Sequence, residues 1–375
     1  NYQWIELTSK EEWKPYHLGN EAISSALSNN LENIKEKQDR GDLFINNIDY
    51  NVIISAIGLR QSNNSLTPER LSKLWRVPLL TAKRTIESTT HRFIRTNEGY
   101  LSRRYRTDTH SRRRYKQLGG PYARFYTDTL FFKIRTVSQF LCAQIYSNRI
   151  GYTKIYPMVQ KSQAHESLST FIHEVGIPHE IHSDEAKELI QGEMKKKMIK
   201  YEIYNTWAES YSPWQNSAED SIRIIKAWAR YFMQLKNTPL RLCDHAMLYA
   251  SELRNLTAPK HIRNRGRTPF ELMHGYTPDI SEYVTFEWYE PIWYWDPVNI
   301  QKQKIGRWLG VSQHIGTGHV YKLLTSKASI IARSIVNPLS SDELSRNEIQ
   351  EQIIKTFDQN IKDLIGDFND VKVRG

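Results

Sequence analysis

From residue 125 to the helix that carries Glu219 and Arg230, strand-like and helix-like segments alternate in an order typical of a layered α/β domain. In chain order the predicted segments are strands at 125–132, 139–146 and 152–157, a helix at 161–175, a strand at 180–182, a helix at 186–200, a strand at 201–204 and a helix that carries Glu219. The strand runs are rich in β-branched and aromatic residues, and the helices show apolar spacing of three and four. The first three strands follow one another closely enough to pair as antiparallel neighbours, whereas the later ones are separated by helices. The sequence therefore predicts a mixed sheet with helices packed on it.

The helix that follows the segment 211–219 carries an acid and three bases on one face. Because basic residues follow the acid at i+4, i+7 and i+11, a single polar stripe holds Glu219, Arg223, Lys226 and Arg230. A neighbouring apolar stripe consists of Ala218, Ile222, Ile225 and Ala229. A carboxylate on a helix anchored in the core, with cations beside it, suits a metal site placed against a polyanion.

Three acids come from separate predicted elements. Asp128 interrupts an apolar strand, where burying an acid is costly without a partner. Asp184 directly follows a short strand, and Glu219 comes 35 positions later, on a helix. Two divalent cations held about 3.5–4 Å apart need one bridging and two flanking carboxylates, and magnesium prefers such oxygen ligands. Taken singly, each acid could equally cap a turn or pair with an arginine; together they predict a two-metal site.

Composition points to a phosphate-rich partner. The 375 residues carry a formal net charge of +11, with 21 tyrosines and 10 tryptophans. A basic, aromatic-rich chain favours nucleic acid over the alternative of a merely basic soluble enzyme. The strongest cluster lies between residues 92 and 116 and comprises Arg92, Arg95, Arg103, Arg104, Arg106, Arg112, Arg113, Arg114 and Lys116. The positive charges of this cluster repel one another unless phosphates neutralise them, which favours contact with a nucleic-acid backbone. The alternative is a solvated linker.

A helix-turn-helix is predicted upstream of this basic arm. Thr67 suits an N-cap and Pro68 the first helical position. Val77 and Pro78 then interrupt the helix, and a second helix follows with Lys83 and Arg84 on its outer face. Such a unit can contact DNA, although many helical domains share the pattern.

The remaining segments set the domain boundaries. A helix at 240–256 leads into a basic loop that contains Arg263 and Arg265, and short strands from residue 286 predict a small antiparallel barrel. Our predicted division is a linker at 1–60, a helix-turn-helix and basic arm at 61–118, a catalytic core at 119–280, an SH3-like barrel at 281–338 and a charged, helical tail or linker at 339–375. The first residue is Asn1 and not methionine, so we expect this sequence to be a segment of a longer product.

Cysteine content and hydropathy restrict the setting of the protein. Cys142 and Cys243 are the only cysteines, so a disulfide framework and a thiolate zinc site are both disfavoured and reducing surroundings are expected. No apolar run approaches about 18 residues, so no membrane span is expected. No secretory signal is recognised either.

The ordered motifs resemble the D,D-35-E core of retroviral-type integrases, and more closely the integrases of Copia-type LTR retrotransposons of the diatom lineage. The segments that carry this resemblance are Thr-Asp128-Thr, Ser-Asp184-Glu-Ala-Lys-Glu, Pro213-Trp-Gln-Asn-Ser-Ala-Glu219, Gly266-Arg-Thr-Pro-Phe-Glu-Leu-Met-His-Gly275, Asp279-Ile-Ser, Trp293-Tyr-Trp-Asp296 and Gly306-Arg-Trp-Leu-Gly-Val-Ser312. The resemblance covers roughly residues 65 to 337. It implies an α/β, RNase H-like catalytic core, two Mg²⁺ or Mn²⁺ ions, trimming of element DNA 3′ ends and their joining to target DNA.

The resemblance also implies residue roles and partners. Asp128 would bridge both ions and Asp184 and Glu219 would each hold one, while Gln215 and Asn216 would shape the preceding loop. DNA contacts are expected from Arg223, Lys226, Arg230, Lys83, Arg84, Arg103, Arg104, Arg106, Arg112, Arg113, Arg114, Arg263 and Arg265. The expected partners are element ends, target DNA, further copies of the chain and a reverse transcriptase from the same polyprotein. The expected location is the nucleus, after a stage in a cytoplasmic particle.

Two features depart from this family, and other functions stay open. Asp220 neighbours Glu219 and could replace it as third ligand; we favour Glu219 because Arg223 and Lys226 share its face, whereas Asp220 shares a stripe with Ile224 and Ala227 that we expect to face packing. The family's zinc module is absent, since no cysteine precedes Cys142. The alternatives are a catalytically inactive element-derived protein, a DNA-binding regulator and an RNase H-type nuclease.

Overall fold

The computed structural model describes residues 66–91, 118, 123–184, 192–209, 217–260, 264, 266–295, 303–315, 319–339 and 348–366. The predictions for 1–60 and for the basic arm lie outside these residues. So do those for Gln215, Asn216, Arg263 and Arg265.

A five-stranded mixed sheet forms the centre of the fold, as predicted. Its strands are β1 (Arg124–Phe131), β2 (Cys142–Ser147), β3 (Thr153–Met158), β4 (Glu180–Ser183) and β5 (Tyr204–Trp207). The order across the sheet is β3-β2-β1-β4-β5. Strands β1, β2 and β3 pair in antiparallel fashion, whereas β4 pairs in parallel with both β1 and β5. Strands β1, β3 and β4 therefore run in the same direction, and their carboxyl ends meet at one edge of the sheet.

The fifth strand begins later than predicted. The predicted strand at 201–204 is instead the end of a helix: Glu202 has a left-handed backbone with φ of 56°, and the amide of Ile203 donates to the carbonyl of Met198 at 2.8 Å. A left-handed residue with a bond back to the helix is a common way to end it. The strand consequently starts only at Tyr204.

Helices cover both faces of the mixed sheet. They are α3 (Ala164–Glu174), α4 (Gly192–Lys200), α5 (Ser217–Leu235) and α6 (Cys243–Leu256), and they follow the helical hairpin of α1 (Pro68–Trp75) and α2 (Leu79–Glu87). Successive β1 side chains enter different cores, because side chains alternate along a strand. Phe125 packs with Phe171 of α3, while Tyr126 belongs to the cluster that contains Ile225 of α5. The predicted apolar stripe of α5 is buried throughout.

The helical hairpin packs against the core through two tryptophans. Thr67 caps α1 and Pro68 begins it, as predicted. The fully buried Trp75 donates its indole N–H to the carbonyl of Tyr283 at 3.1 Å. The indole N–H of Trp228 on α5 donates to the carbonyl of Trp75 at 3.0 Å. Buried, specific bonds of this kind tie the hairpin to the remainder of the fold.

A second, wholly antiparallel sheet follows in the chain. Its strands are β6 (Pro291–Trp295), β7 (Gln303–Val311), β8 (Tyr321–Leu324), β9 (Ile330–Arg333) and β10 (Val336–Pro338), arranged in the order β10-β6-β7-β8-β9. An antiparallel sheet here was predicted, but β10 was not. With only three residues, β10 is too short to show the alternation by which a strand is recognised in a sequence.

Helices complete the C-terminal part. The short helix α7 (Pro269–His274) precedes the second sheet, and α8 (Glu348–Ile365) lies within the predicted charged tail. Phe357, Ile361 and Ile365 of α8 are buried. Arg307 of β7 also donates two hydrogen bonds to the Asp358 carboxylate, from Nε at 3.1 Å and from Nη2. In the part of the chain that is described, no helix is long and apolar enough to cross a membrane.

Candidate active site

Asp128 and Asp184 follow the last paired positions of two adjacent parallel strands. The pairing of β1 with β4 ends where Thr127 lies opposite Ser183. Asp128 is the next residue on one strand and Asp184 the next after the other. Because neighbouring strands lie about 4.8 Å apart, the register brings both aspartates to the same point of the sheet edge. Two aspartates that are far apart in sequence thus become neighbours in space.

A polar network holds the backbone around Asp128. The fully buried Gln144 on β2 donates from Nε2 to Oγ1 of Thr127 at 2.7 Å, and its Oε1 accepts a bond from the Thr129 hydroxyl at 2.7 Å. The amide of Thr129 donates to Oδ1 of Asp128 at 2.6 Å. The two threonines on either side of Asp128 are therefore fixed by one glutamine, which limits the movement of the acid.

The pKa of Asp128 is raised from 3.8 to about 6. Burial is the main cause, and the bond from the Thr129 amide opposes it. The negative charges of Asp184 and Glu219 raise the pKa further, whereas the positive charge of Lys161 lowers it. The charges of both other carboxylates predicted as a set therefore act on Asp128.

Glu219 and its neighbour Asp220 lie in different surroundings. Both are exposed in the first turn of α5. Glu219 contributes to the raised pKa of Asp128. Asp220 instead pairs with Nη2 of Arg223 at 2.7 Å, and its charge opposes the lowering of the pKa of the half-buried Arg254. The expectation that Asp220 faces packing is wrong, because helix α5 leaves both Asp220 and Ala227 exposed.

The donor set suits a hard divalent cation. It consists of three carboxylates from β1, from the residue after β4 and from α5. Among the described residues no three His, Cys, Asp or Glu side chains are already drawn close enough to enclose an ion. The charges of Asp184 and Glu219 add to burial in raising the pKa of Asp128, and a divalent cation held by the carboxylates would relieve this repulsion. The residues present therefore fit Mg²⁺ or Mn²⁺.

The predicted DNA-contacting residues that the structure describes lie on two helices. Arg223, Lys226 and Arg230 are exposed along α5, on the same face as Glu219. On α2, Lys83 is exposed as predicted, but Arg84 is half-buried rather than outward-facing. Arg103, Arg104, Arg106, Arg112, Arg113 and Arg114 lie outside the described residues.

Lys161 is a site residue that the sequence predictions missed. It lies in the 3-10 turn Lys161–Gln163, shortly after the carboxyl end of β3. Its Nζ is 6.0 Å from the ring centroid of Phe131, and its charge acts on Asp128. The available signal was topological: β3 runs in the same direction as β1, so a residue just beyond it reaches the edge that holds Asp128.

Comparisons with known proteins find a partial likeness in fold. No protein-family profile matches the chain, and no curated protein is similar to it. The HTLV-2 integrase catalytic core domain in complex with magnesium is 19% identical, with a TM-score of 0.32, over 41% of this chain and 97% of that one. The simian T-cell lymphotropic virus intasome with the PP2A regulatory subunit B56 gamma is 17% identical, with a TM-score of 0.36, over 60% and 82%. The BIV integrase catalytic core domain is 16% identical, with a TM-score of 0.31, over 41% and 94%. These similarities to retroviral integrases concern the fold alone.

Proposed function

We propose that this protein is a DNA integrase, a metal-dependent polynucleotidyl transferase that trims the 3′ ends of element DNA and joins them to target DNA. The observation that carries the proposal is the meeting of Asp128 and Asp184 at one sheet edge, with Glu219 near enough to raise the pKa of Asp128. Three acids from separate elements form the donor set that a two-metal phosphoryl transfer requires.

The residues of this chain divide the work of the reaction. Asp128, Asp184 and Glu219 would hold two Mg²⁺ or Mn²⁺ ions, which activate the attacking oxygen and stabilise the leaving oxygen. The Thr129 amide orients the Asp128 carboxylate, and Gln144 fixes the threonines on either side of it. Lys161 adds a positive charge on the β3 side, where a phosphate oxygen would be attracted. The exposed bases of α5 hold the DNA backbone beside Glu219.

The finer parts of the proposal follow from the sequence resemblance. We assign the chain to the Copia-type lineage, with the helical hairpin acting as a helix-turn-helix and the second sheet as an SH3-like barrel. We also propose that several copies assemble on DNA, that a reverse transcriptase is made in the same polyprotein, and that joining takes place in the nucleus. The basic arm would add contacts to the DNA backbone.

A strand-joining assay tests the function. Purified protein is incubated with a labelled duplex that resembles an element end, with and without Mg²⁺. We expect trimmed and joined products only with metal, and their loss in Glu219→Gln but not in the matched variant Asp220→Asn. The opposite pattern in the two variants would move the third ligand to Asp220.

Other outcomes identify the rival functions. Hydrolysis without joining would indicate an RNase H-type nuclease. Binding that needs no metal and gives no product would indicate a regulator or an inactive element-derived protein.

A further inference from the structure

A groove separates the helical hairpin from the outer face of α5. Its volume is about 500 Å³. The residues that line it are Arg76, Val77, Arg223, Ile224, Ala227, Trp228 and Tyr231. The α5 members recur at intervals of three and four, so they form one continuous strip along the helix. Two of its members, Ile224 and Ala227, belong to the stripe we expected to be packed; Ala227 is exposed and Ile224 half-buried.

The lining combines apolar surface with positive charge. Val77, Ile224 and Trp228 supply apolar walls, and Tyr231 exposes 49% of its surface. Arg76 comes from the hairpin and Arg223 from α5, where Arg223 also pairs with Asp220; none of the described lining residues is itself acidic. Aromatic faces beside arginines are the elements with which proteins hold single-stranded nucleic acid, because every base has a flat face and every linkage a negative phosphate.

The walls of the groove are held in place before any ligand arrives. The Trp228 indole donates to the carbonyl of Trp75 and stacks on Phe232, with ring centroids 6.0 Å apart and planes inclined by 21°. Arg76 ends α1 in a left-handed conformation, with φ of 55° and its amide bonded to the carbonyl of Ser72. A pre-formed site loses less entropy on binding than one that must order first.

The groove begins one helical turn from the acidic end of α5. Arg223 lies four residues after Glu219, and Trp228 lies nine residues after it. Tyr231, which also lines the groove, lies twelve residues after Glu219. At 1.5 Å per residue the groove therefore spans from about 6 to about 18 Å along the helix from Glu219. Unpaired nucleotides a few positions away from a reacting phosphate would reach this distance.

We propose that this groove binds unpaired nucleotides next to the reacting end of the DNA, an inference that rests on the proposed function. Tyr231 would stack on a base, and Arg76 and Arg223 would contact its phosphates. Opening of the terminal base pairs would then be stabilised by the protein. This would help to deliver one strand to the acids.

A binding assay without metal tests the inference separately from catalysis. Fluorescence anisotropy in EDTA compares a blunt duplex with duplexes that carry one to three unpaired nucleotides at either the 5′ or the 3′ end. We expect one extended duplex to bind roughly 5- to 150-fold more tightly than the blunt one, the range expected for stacking of one base. Tyr231→Ala should abolish this preference and Tyr231→Phe should retain it. Tyr204→Ala, which removes a tyrosine 64% exposed on β5, is the matched control and should also retain it.

Several results would overturn the inference. The first is equal affinity of the wild type for all duplexes, and the second is an unchanged preference in Tyr231→Ala. The third is competition by an acidic peptide that is as strong as competition by unpaired DNA, which would make the groove a peptide site. Assaying strand joining on the same preparations keeps the two proposals apart. Joining without a preference for unpaired ends refutes the groove alone, whereas the preference without joining refutes the proposed function alone.

Discussion

Replacing Asp128 by asparagine should stabilise the folded protein while abolishing strand joining. The pKa of Asp128 is raised from 3.8 to about 6 by burial and by the charges of Asp184 and Glu219. At about 1.4 kcal/mol for each pH unit, holding this group ionised in the folded state costs about 3 kcal/mol. Asparagine has nearly the same shape, carries no charge and can still accept the bond from the Thr129 amide. The free energy of unfolding of Asp128→Asn should therefore exceed that of the wild type by about 3 kcal/mol at about pH 8.

The sign of the pH dependence follows from the direction of the shift. Between pH 3.8 and about 6 the folded protein binds more protons at Asp128 than the unfolded chain does. The stability contributed by this protonation is present at low pH and is lost as the pH rises through about 6. The difference between variant and wild type should consequently shrink by about 1.4 kcal/mol when the pH is lowered from about 8 to about 5.

Urea denaturation of the full chain, followed by tryptophan fluorescence at several pH values, measures this difference. Asp220→Asn is the matched control: its carboxylate is exposed and paired with Arg223, so its effect should stay within about 0.5 kcal/mol at every pH. Added Mg²⁺ should stabilise the wild type but not Asp128→Asn. A destabilised Asp128→Asn, or a difference that does not change with pH, would refute the reasoning about charge repulsion at this site.

Further predictions concern Lys161, the C-terminal helix and the basic arm. Lys161→Gln removes a positive charge that lowers the pKa of Asp128, so the pH profile of joining should move to higher pH, whereas Lys161→Arg and the surface control Lys196→Gln should leave it in place. An unmoved profile in Lys161→Gln would contradict this role. Ile361→Ala should lower the free energy of unfolding by about 2–4 kcal/mol in urea titrations, because the side chain is 1% exposed; a decrease below about 0.5 kcal/mol would mean that α8 is not part of the folded unit. Replacing Arg112, Arg113 and Arg114 by glutamine should reduce the slope of log affinity against log salt by roughly one for every phosphate that the arm no longer neutralises, and an unchanged slope would exclude the arm from the DNA interface.

The order of strands and helices could be predicted because it depends on local patterns. The strand around Asp128 and the buried stripe of α5 both follow from side-chain periodicity. The position of β5 could not be predicted. Residues Tyr201 to Ile203 have strand-like composition, but the amides of Tyr201 and Ile203 bond back to the carbonyls of Lys197 and Met198 and so end a helix. Tertiary contacts decide such segments, and a local pattern does not contain them.

The acids of the candidate site could be selected from the sequence, but not their surroundings. Asp184 was predicted because it directly follows a strand, and the register with β1 explains why that position matters. Lys161 was missed because its proximity to Asp128 depends on the direction of β3 within the sheet. The groove was missed for a related reason: Ile224 and Ala227 have the composition of a packed stripe, and only the placement of the hairpin leaves them open to a ligand.

Helix α6 connects the two sheets, and this limits how the protein can be divided. Asn255 accepts a hydrogen bond from the Thr153 amide of β3 at 2.7 Å, while Tyr249 stacks on Trp288 and meets Trp308 of β7 edge-on, with centroids 5.4 and 5.3 Å away. A fragment ending near residue 280 would expose the ring of Tyr249 to water and lack the indoles that cover it. Recombination that exchanged the C-terminal sheet for one from a distant relative would have to replace this aromatic seam as well. The catalytic and C-terminal parts are thus expected to be inherited, and to lose stability, together.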